Sequence, residues 1–183
     1  MALAIVLGAL AQTTDDAGDT PSAPTALPGR TPGAGETPAP TIVQSVAPPD
    51  LRPDPARLER ADVLDVIDGD TIDVRIDGRE ERVRYYGVDT TERGEDCFSD
   101  ATGRNEELAG DTVLLLPDAR ERDRFGRLLR YVFDDFGRSI DAQLIAEGLG
   151  HAWPEDGTYR DQLLALEAQA QAAQVGCLWE SGT

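Results

Sequence analysis

The distribution of proline divides this chain into a part that cannot pack into a domain and a part that can. Ten of its twelve prolines lie between Pro21 and Pro55, and proline fixes φ and lacks the N–H donor that helices and central strands need. We interpret residues 12–60, which are also rich in Thr, Ala, Gly and Asp, as a disordered linker, because such a composition buries too little apolar surface to fold. One compact domain is therefore predicted over residues 61–183.

The first eleven residues form an apolar run that ends in Ala9-Leu10-Ala11. This run resembles the apolar core and small-residue cleavage site of a secretory signal, and it is too short to span a bilayer. We predict that residues 1–11 are a signal-peptide remnant and that the protein is extracellular, either free or tethered to the cell surface through the linker. No membrane span is predicted. Because the positively charged start of a signal is missing, an ordinary apolar chain end is the alternative.

The charge balance excludes one class of nucleic-acid-binding protein. The chain contains 17 Arg, no Lys and 35 acidic residues, which gives a net charge of −18. A field of this sign repels polyanions at low salt, so recognition through a broad basic surface is excluded. Groups in direct contact with a ligand still act in molar salt, where the Debye length is about 3 Å. An acidic surface without Lys favours a halophilic protein.

Hydrophobic periodicity predicts five short strands and three helices. The strands are predicted at 63–67, 71–76, 81–88, 113–116 and 128–133. The helices are predicted at 100–109, 140–147 and 159–174. A charged loop is predicted between the last two strands, over Asp118 to Arg127. Together these elements predict a mainly β domain with helices (α+β), an OB-fold five-stranded β-barrel capped by about three helices.

Three short segments place charged side chains at the ends of predicted strands. They are Asp68-Gly69-Asp70-Thr71, Asp89-Thr90-Thr91-Glu92 and Asp123-Arg124-Phe125-Gly126-Arg127. Each segment alone is typical of a turn, a helix cap or a solvated hairpin tip. A small barrel brings strand ends to one rim, so the three segments together predict a site that combines carboxylates for a metal with guanidinium groups for an anion.

These segments, together with Arg84, resemble the staphylococcal nuclease (thermonuclease) family in identity, order and spacing, over roughly residues 61–181. Further similarity lies in Ala146-Glu147-Gly148-Leu149, Glu167-Ala168-Gln169-Ala170 and Leu178-Trp179. The resemblance implies an endonuclease that hydrolyses DNA and RNA with one calcium ion and leaves 3′-phosphates. Single-stranded nucleic acid is the implied preferred partner, with no stable protein partner and a monomeric state.

The resemblance also implies the metal ligands. Asp70 and Asp89 match the calcium-binding carboxylates of the family, and Thr90 matches the position whose backbone carbonyl joins them. Calcium prefers oxygen ligands, and a site with few protein ligands leaves positions for water and a phosphate oxygen.

The implied catalytic residues are Arg84, Glu92 and Arg127. Glu92 matches the acid that orients or deprotonates the attacking water, and Arg84 and Arg127 match the pair that holds the scissile phosphate. Two guanidinium groups aimed at the phosphate stabilise the charge that in-line attack concentrates on its oxygens. Arg127 is also expected to assist the leaving 5′ oxygen.

Three further residues are predicted to contact the substrate, namely Arg124, Phe125 and Trp153. Phe125 stands where the family commonly has Tyr, which removes a hydroxyl contact to phosphate. Trp153 is the nearest candidate for a platform on which a base stacks, and the alternative is an aromatic of the rim or core. Thr91 stands where the family usually has Pro, which loosens the loop that carries Glu92.

Two functions other than a nuclease stay open. A non-catalytic OB-fold module that binds nucleic acid or a partner is favoured by the acidic surface, Thr91 and Phe125. A calcium-binding structural domain on a tether would not need Arg84 and Arg127. Glu92 favours the enzyme, because a binding module has little need of a general base beside a phosphate site.

The two cysteines of the chain, Cys97 and Cys177, are 80 residues apart. In an exported protein they more often pair than not, and closing such a loop contributes about 4 kcal/mol in the chain-entropy model. Two buried thiols are the alternative. His151 has no second His or Cys at ligand spacing, so we predict a structural or exposed histidine rather than zinc chemistry.

Overall fold

A computed structural model describes residues 46–180. The predicted signal remnant, most of the predicted linker and the last three residues lie outside the described residues, so the division of the chain into signal, linker and domain stays a prediction. Packing begins before the predicted boundary at residue 61, because Leu51 is buried in the core. A short 3-10 turn at Pro55–Arg57 then leads into the first strand.

Seven strands and three helices follow one another along the described chain. The strands are β1 Glu59–Val66, β2 Thr71–Ile76, β3 Arg79–Tyr85, β4 Val88–Asp89, β5 Thr112–Arg122, β6 Leu128–Phe133 and β7 His151–Ala152. The helices are α1 Phe98–Ala109, α2 Ile140–Ala146 and α3 Arg160–Ala172. Every predicted strand and helix is present, and the predicted bounds of β2 and β6 are correct.

Five strands close into a barrel in the order β1-β2-β3-β6-β5, with β5 returning to β1. All neighbours are antiparallel except β3 and β6, which run parallel. β4 and β7 form a separate two-stranded antiparallel pair. The predicted OB-fold barrel with three helices is confirmed.

Apolar side chains alternate on the strands and fill the barrel. In β2, Ile72, Val74 and Ile76 are buried while Arg75 is exposed, as the period of two requires. All six residues of β6 are buried, because this strand lies between β3 and β5 and α2 packs against it.

A buried acid fixes α2 to the barrel. Asp141 is fully buried and accepts hydrogen bonds from the Gly87 N–H at 2.8 Å and the Val132 N–H at 2.9 Å. Burial raises the pKa of Asp141 to about 6. At the start of α2, the Ser139 hydroxyl accepts a hydrogen bond from the Ala142 N–H at 3.1 Å, as helix N-caps do.

The predicted charged loop from Asp118 to Arg127 is wrong over its first half. β5 continues to Arg122, which pairs with Leu128 of β6 after an irregularity that begins at Pro117. Polar side chains suggested a loop, but an outer strand face of a barrel can carry them.

The sulfur atoms of Cys97 and Cys177 are bonded, which joins the start of α1 to the segment after α3. Among residues 46–180, no helix has the length and apolar content needed to cross a membrane.

Candidate active site

Barrel register brings the three charged segments to one rim. Asp70 directly precedes β2, and Thr71 pairs with Arg84 near the end of β3. Arg84 also pairs with Leu129 across the parallel β3–β6 contact, so the turn before β6 lies beside it. That turn carries Arg127.

Asp70 is buried and fixed by neighbours on both oxygens. Its Oδ2 accepts hydrogen bonds from the Thr90 backbone N–H at 2.7 Å and the Thr90 hydroxyl at 2.9 Å. Its Oδ1 accepts from the Thr71 hydroxyl at 3.1 Å and lies 2.9 Å from Arg84 Nε. The carboxyl group therefore has a single orientation before any ligand binds.

Burial raises the pKa of Asp70 to about 6, although Arg84 and the Thr90 N–H both lower it. A buried carboxylate is costly unless positive charge lies beside it. Here Arg84 supplies that charge, and a cation at the same place would have the same effect on Asp70.

Arg84 joins the two carboxylates that the sequence predicts as metal ligands. Its Nε contacts Asp70, and its Nη2 donates a short hydrogen bond to Asp89 Oδ1. Its Nη1 donates to the carbonyl oxygens of Tyr85 at 2.6 Å and Val88 at 2.5 Å. The Arg84 side chain is 12% exposed, whereas that of Asp89 is 53% exposed. The contact with Asp89 is thus the one open to solvent.

Arg127 is oriented by the hairpin turn that joins β5 to β6. Its Nε donates to Asp123 Oδ2 at 2.6 Å, while Asp123 Oδ1 accepts from the N–H groups of Phe125 and Arg127 at 2.9 and 3.0 Å. Burial raises the pKa of Asp123, but the hydrogen bonds from Arg127 and Phe125 outweigh it and lower the pKa overall. Phe125 is 69% exposed, and its ring lies under the guanidinium groups of Arg124 and Arg127, at 4.6 and 5.6 Å.

The same turn occurs again at the other end of β6. In residues 134–138, Asp134 Oδ1 accepts from the N–H groups of Phe136 and Arg138, each at 2.9 Å, and Arg138 Nε donates to Asp134 Oδ2 at 2.7 Å. Arg138 also stacks on Phe136 at 5.3 Å. The local geometry of residues 123–127 is therefore repeated by a turn that does not line the candidate site.

Glu92 lies in the exposed loop between β4 and α1. Its backbone N–H donates to Glu95 Oε2 at 2.8 Å, and its carbonyl accepts from the Glu95 N–H at 3.0 Å. Within residues 46–180 the Glu92 carboxylate makes no hydrogen bond or ion pair. It is therefore available to a ligand. The neighbouring Thr91 hydroxyl is buried and has no partner in the same part of the chain.

One cavity of about 740 Å³ collects eight of the predicted site residues. They are Asp70, Arg84, Asp89, Glu92, Arg124, Phe125, Arg127 and Trp153. Thr90 does not line this cavity, and its N–H and hydroxyl support Asp70 instead.

An arginine that the sequence did not single out forms another part of the cavity wall. Arg120 donates from Nε and Nη2 to the two oxygens of Asp156, at 2.6 and 2.7 Å. Its guanidinium lies 5.0 Å from the Tyr86 ring and 5.9 Å from the Trp153 ring. Trp153 Nε1 donates to the same Asp156 at 3.1 Å. Arg120 lay in the predicted charged loop, so no pattern in the sequence indicated this pairing.

The oxygen-rich side of the cavity suits a hard cation. The carboxylates of Asp70 and Asp89 both contact Arg84. Within residues 46–180, however, no group of three or more His, Cys, Asp or Glu side chains is arranged to hold a metal. Calcium takes six to eight oxygen ligands, so carbonyl groups, water and a ligand's own oxygens would have to complete the set.

Comparison with known proteins agrees with this geometry. The model of the family described as "Staphylococcal nuclease homologue" matches residues 82–181, more than half of the chain. The chain belongs to the staphylococcal nuclease homologue family. The resemblance in the sequence is thereby confirmed. Arg84, Asp89, Glu92 and Arg127 lie within the range matched by this family, and Asp70 lies before it.

Three relatives illustrate the similarity. Endonuclease YncB of Bacillus subtilis (strain 168) is 36% identical over 127 residues, which cover 63% of this chain and 60% of the relative. The SPbeta prophage-derived endonuclease YokF of the same organism is 34% identical over 127 residues, covering 63% and 43%. Thermonuclease of Staphylococcus hyicus is 37% identical over 124 residues, covering 62% and 70%. The chain thus matches less than two thirds of the length of the two Bacillus relatives.

Proposed function

We propose that this chain is a calcium-dependent extracellular nuclease that hydrolyses phosphodiester bonds of DNA and RNA, prefers single strands and leaves 3′-phosphate ends. The observation that carries the proposal is the shared cavity, in which acids and arginines from separate parts of the chain meet. They are Asp70, Arg84, Asp89, Glu92 and Arg127. The names of the relatives, endonuclease and thermonuclease, support the same reaction class.

The metal would be held by the Asp70 and Asp89 carboxylates and the Thr90 carbonyl. Family members depend on a metal ion, and these oxygen ligands suit calcium better than a softer metal. When bound, calcium would act as a Lewis acid that polarises a phosphate oxygen.

Arg84 and Arg127 would bind the scissile phosphate through their forked guanidinium groups. Arg84 must exchange a carboxylate for the phosphate, and its contact with the half-exposed Asp89 is the one that solvent already reaches. Arg127 is oriented in advance by Asp123, so little reorganisation accompanies charge build-up on the phosphate oxygens.

Glu92 would act as the general base. Its unpaired carboxylate accepts a proton from water while the water oxygen forms a bond to phosphorus, and the bond from phosphorus to the 5′ oxygen breaks. Arg127 donates a hydrogen bond to the departing 5′ oxygen, which then takes a proton from a second water molecule. The hydroxide so formed takes the proton from Glu92 and restores its carboxylate. The two products are a 3′-phosphate and a 5′-hydroxyl.

The full chain, incubated with single-stranded DNA across a salt series with calcium or with a chelator, tests this proposal. We expect fragments with 3′-phosphate ends only when calcium is present. Glu92→Gln should lower kcat at least a hundredfold, whereas Glu106→Gln, the same change on an exposed position of α1 outside the cavity, should leave it unchanged. Activity that survives Glu92→Gln combined with Arg84→Ala would exclude the mechanism.

A non-catalytic binding module is the second candidate, and the Phe125 ring favours it. That ring is exposed and stacked by two arginines, which suits sequence-tolerant contacts with single strands. Retention of labelled DNA by the folded chain at all salt concentrations, without cleavage in calcium, would establish the module instead.

Export and a monomeric state complete the proposal. The apolar start of the chain and the proline-rich segment after it support export with a tether. Mass spectrometry of protein recovered from culture medium should show a start near residue 12, and sedimentation should give the mass of one chain. Recovery only from inside cells, or a dimer mass, would refute these two points.

A further inference from the structure

Glu92 depends on its loop for its position, and that loop has few contacts of its own. Residues 92–96 are exposed, and the hydrogen bonds of Glu92 are made only to Glu95 within the described chain. The ring contact of this stretch is local as well, with the Arg93 guanidinium 5.3 Å from the Phe98 ring. The loop is held at its start, where Thr90 donates two hydrogen bonds to Asp70 and the Thr91 hydroxyl is buried. Over residues 92–96 the hydrogen bonds and ring contact described above are local and do not reach the barrel.

The covalent exception is Cys97, which ends this loop and precedes α1. It is bonded to Cys177, and its backbone adopts a φ of 70° at the start of the helix without a side-chain cap. A residue other than Gly rarely adopts this conformation unless its surroundings impose it. The bond to Cys177 is the covalent contact of this residue.

The segment that carries Cys177 is itself firmly attached to the fold. The Leu178 N–H donates to the Gly148 carbonyl at 3.1 Å, and the Trp179 ring packs edge-on against His151 at 5.3 Å. His151 belongs to β7 and pairs with Asp89 of β4. One C-terminal segment, residues 175–180, thus contacts the strand pair of Asp89 and is bonded to the loop of Glu92.

The rest of α1 is attached to the barrel without the disulfide. Asn105 is fully buried, donates to the Asp68 carbonyl at 2.9 Å and accepts from the Tyr85 hydroxyl at 2.7 Å. Arg104 donates to both oxygens of Glu147, at 2.7 and 2.8 Å. Loss of the disulfide should therefore release the loop and the first turn of α1 while the helix stays packed.

We propose that Cys97 and Cys177 are positioning residues for Glu92: their bond transfers the rigidity of the C-terminal segment to the loop that carries the general base. The expected effect on kcat rests on the proposed function, whereas the orientation of the loop by the disulfide does not. A small misplacement of a general base is costly, because proton transfer requires hydrogen-bond distance to the attacking water.

The test compares the full chain with the double variant Cys97→Ser/Cys177→Ser. We expect kcat to fall at least tenfold while KM for a short single-stranded oligonucleotide changes less than twofold, because Arg84 and Arg127 lie outside the loop. Amide exchange of Glu95 and Ala101, whose N–H groups donate to the carbonyls of Glu92 and Cys97, should become at least tenfold faster, and that of β6 should not change. Dithiothreitol, which reduces the disulfide to two thiols and is itself oxidised, should reproduce these effects in the wild type and change nothing in the double variant.

Three results would overturn the proposal. Unchanged kcat with a lower unfolding midpoint would show a disulfide that only stabilises the fold. Loss of β6 protection on reduction of the wild type would show global unfolding, and this measurement decides the matter even where the double variant does not fold. Unchanged exchange at Glu95 and Ala101 would show that other contacts orient the loop. Amide exchange can be measured without turnover. A chain without nuclease activity would therefore contradict the proposed function, while the exchange measurement would still test whether the disulfide orients the loop.

Discussion

The turns at the two ends of β6 share their hydrogen bonds and differ in their second residue, Arg124 in one and Asp135 in the other. The shared hydrogen bonds allow the contribution of Arg127 to catalysis to be separated from its contribution to the fold. Arg127→Ala removes a hydrogen bond of 2.6 Å to Asp123, and Arg138→Ala removes one of 2.7 Å to Asp134. The backbone hydrogen bonds to both aspartates remain in each variant. The substitutions therefore delete the same local interaction, once inside the candidate site and once outside it.

Both substitutions should lower the free energy of unfolding by a small and similar amount. The side chains of Arg127 and Arg138 are 30% and 63% exposed, and a partly solvated ion pair of this kind contributes about 1 kcal/mol. With a stability of about 5–15 kcal/mol, both variants stay folded at 25 °C. The catalytic cost should differ, because loss of a preoriented donor to the transition state costs about 3–4 kcal/mol, or a hundredfold to a thousandfold in kcat.

Initial rates on single-stranded DNA in calcium, with urea unfolding of the same samples, measure both quantities. We expect Arg127→Ala to lose a factor of at least one hundred and Arg138→Ala to stay within twofold of the wild type. Equal losses in the two variants would show that turn stability, and not phosphate binding, explains the effect. Full activity of Arg127→Ala would refute the role of this residue altogether.

Three further perturbations test single features of the fold. Burial raises the pKa of Asp141 from 3.8 to about 6, so between these pH values the folded state keeps a proton that the unfolded chain loses. The free energy of unfolding should therefore fall by about 3 kcal/mol as pH rises through this window. In Asp141→Asn, urea unfolding at several pH values should show a free energy of unfolding that lacks this fall. Thr91→Val removes the buried hydroxyl without a partner in the described chain and should stabilise the fold by about 1 kcal/mol, which a lower urea midpoint would contradict. Gly148→Ala places a Cβ 1.8 Å from the Val175 carbonyl oxygen at a φ of 63° and should cost about 3 kcal/mol in thermal unfolding, whereas Gly103→Ala, with nothing within 4 Å, should be neutral or stabilising.

Strands with a clear period could be predicted from the sequence, and strands without one could not. β2 alternates apolar and charged residues, and its bounds were predicted correctly. The β4–β7 pair has two residues in each strand, too few to show any period. The end of β5 was missed because Asp118 to Arg122 are mostly charged, and because their pairing with β6 resumes only after an irregularity at Pro117.

The residues of the candidate site were identifiable because they lie in short motifs, whereas their partners are remote in sequence. Arg84 was singled out, but its position between Asp70 and Asp89 depends on the pairing of β2 with β3. Arg120 and Asp156 are 36 residues apart and no motif connects them. Local sequence therefore indicates which side chains are suited to binding a metal or a phosphate. Tertiary packing decides which of these side chains are in contact. The chemical roles of these residues stay predictions.

The Cys97–Cys177 bond turns most of the chain's second half into a covalent ring. All three helices and the strands β5, β6 and β7 lie inside this ring, and β1, β2, β3 and β4 lie outside it. The exposed turn 123–127 is part of the ring, so a protease that cuts the backbone there opens the ring without dividing the molecule. The two pieces separate only after reduction and unfolding. After a cut between β5 and β6, all five strands of the barrel thus remain covalently linked in one molecule.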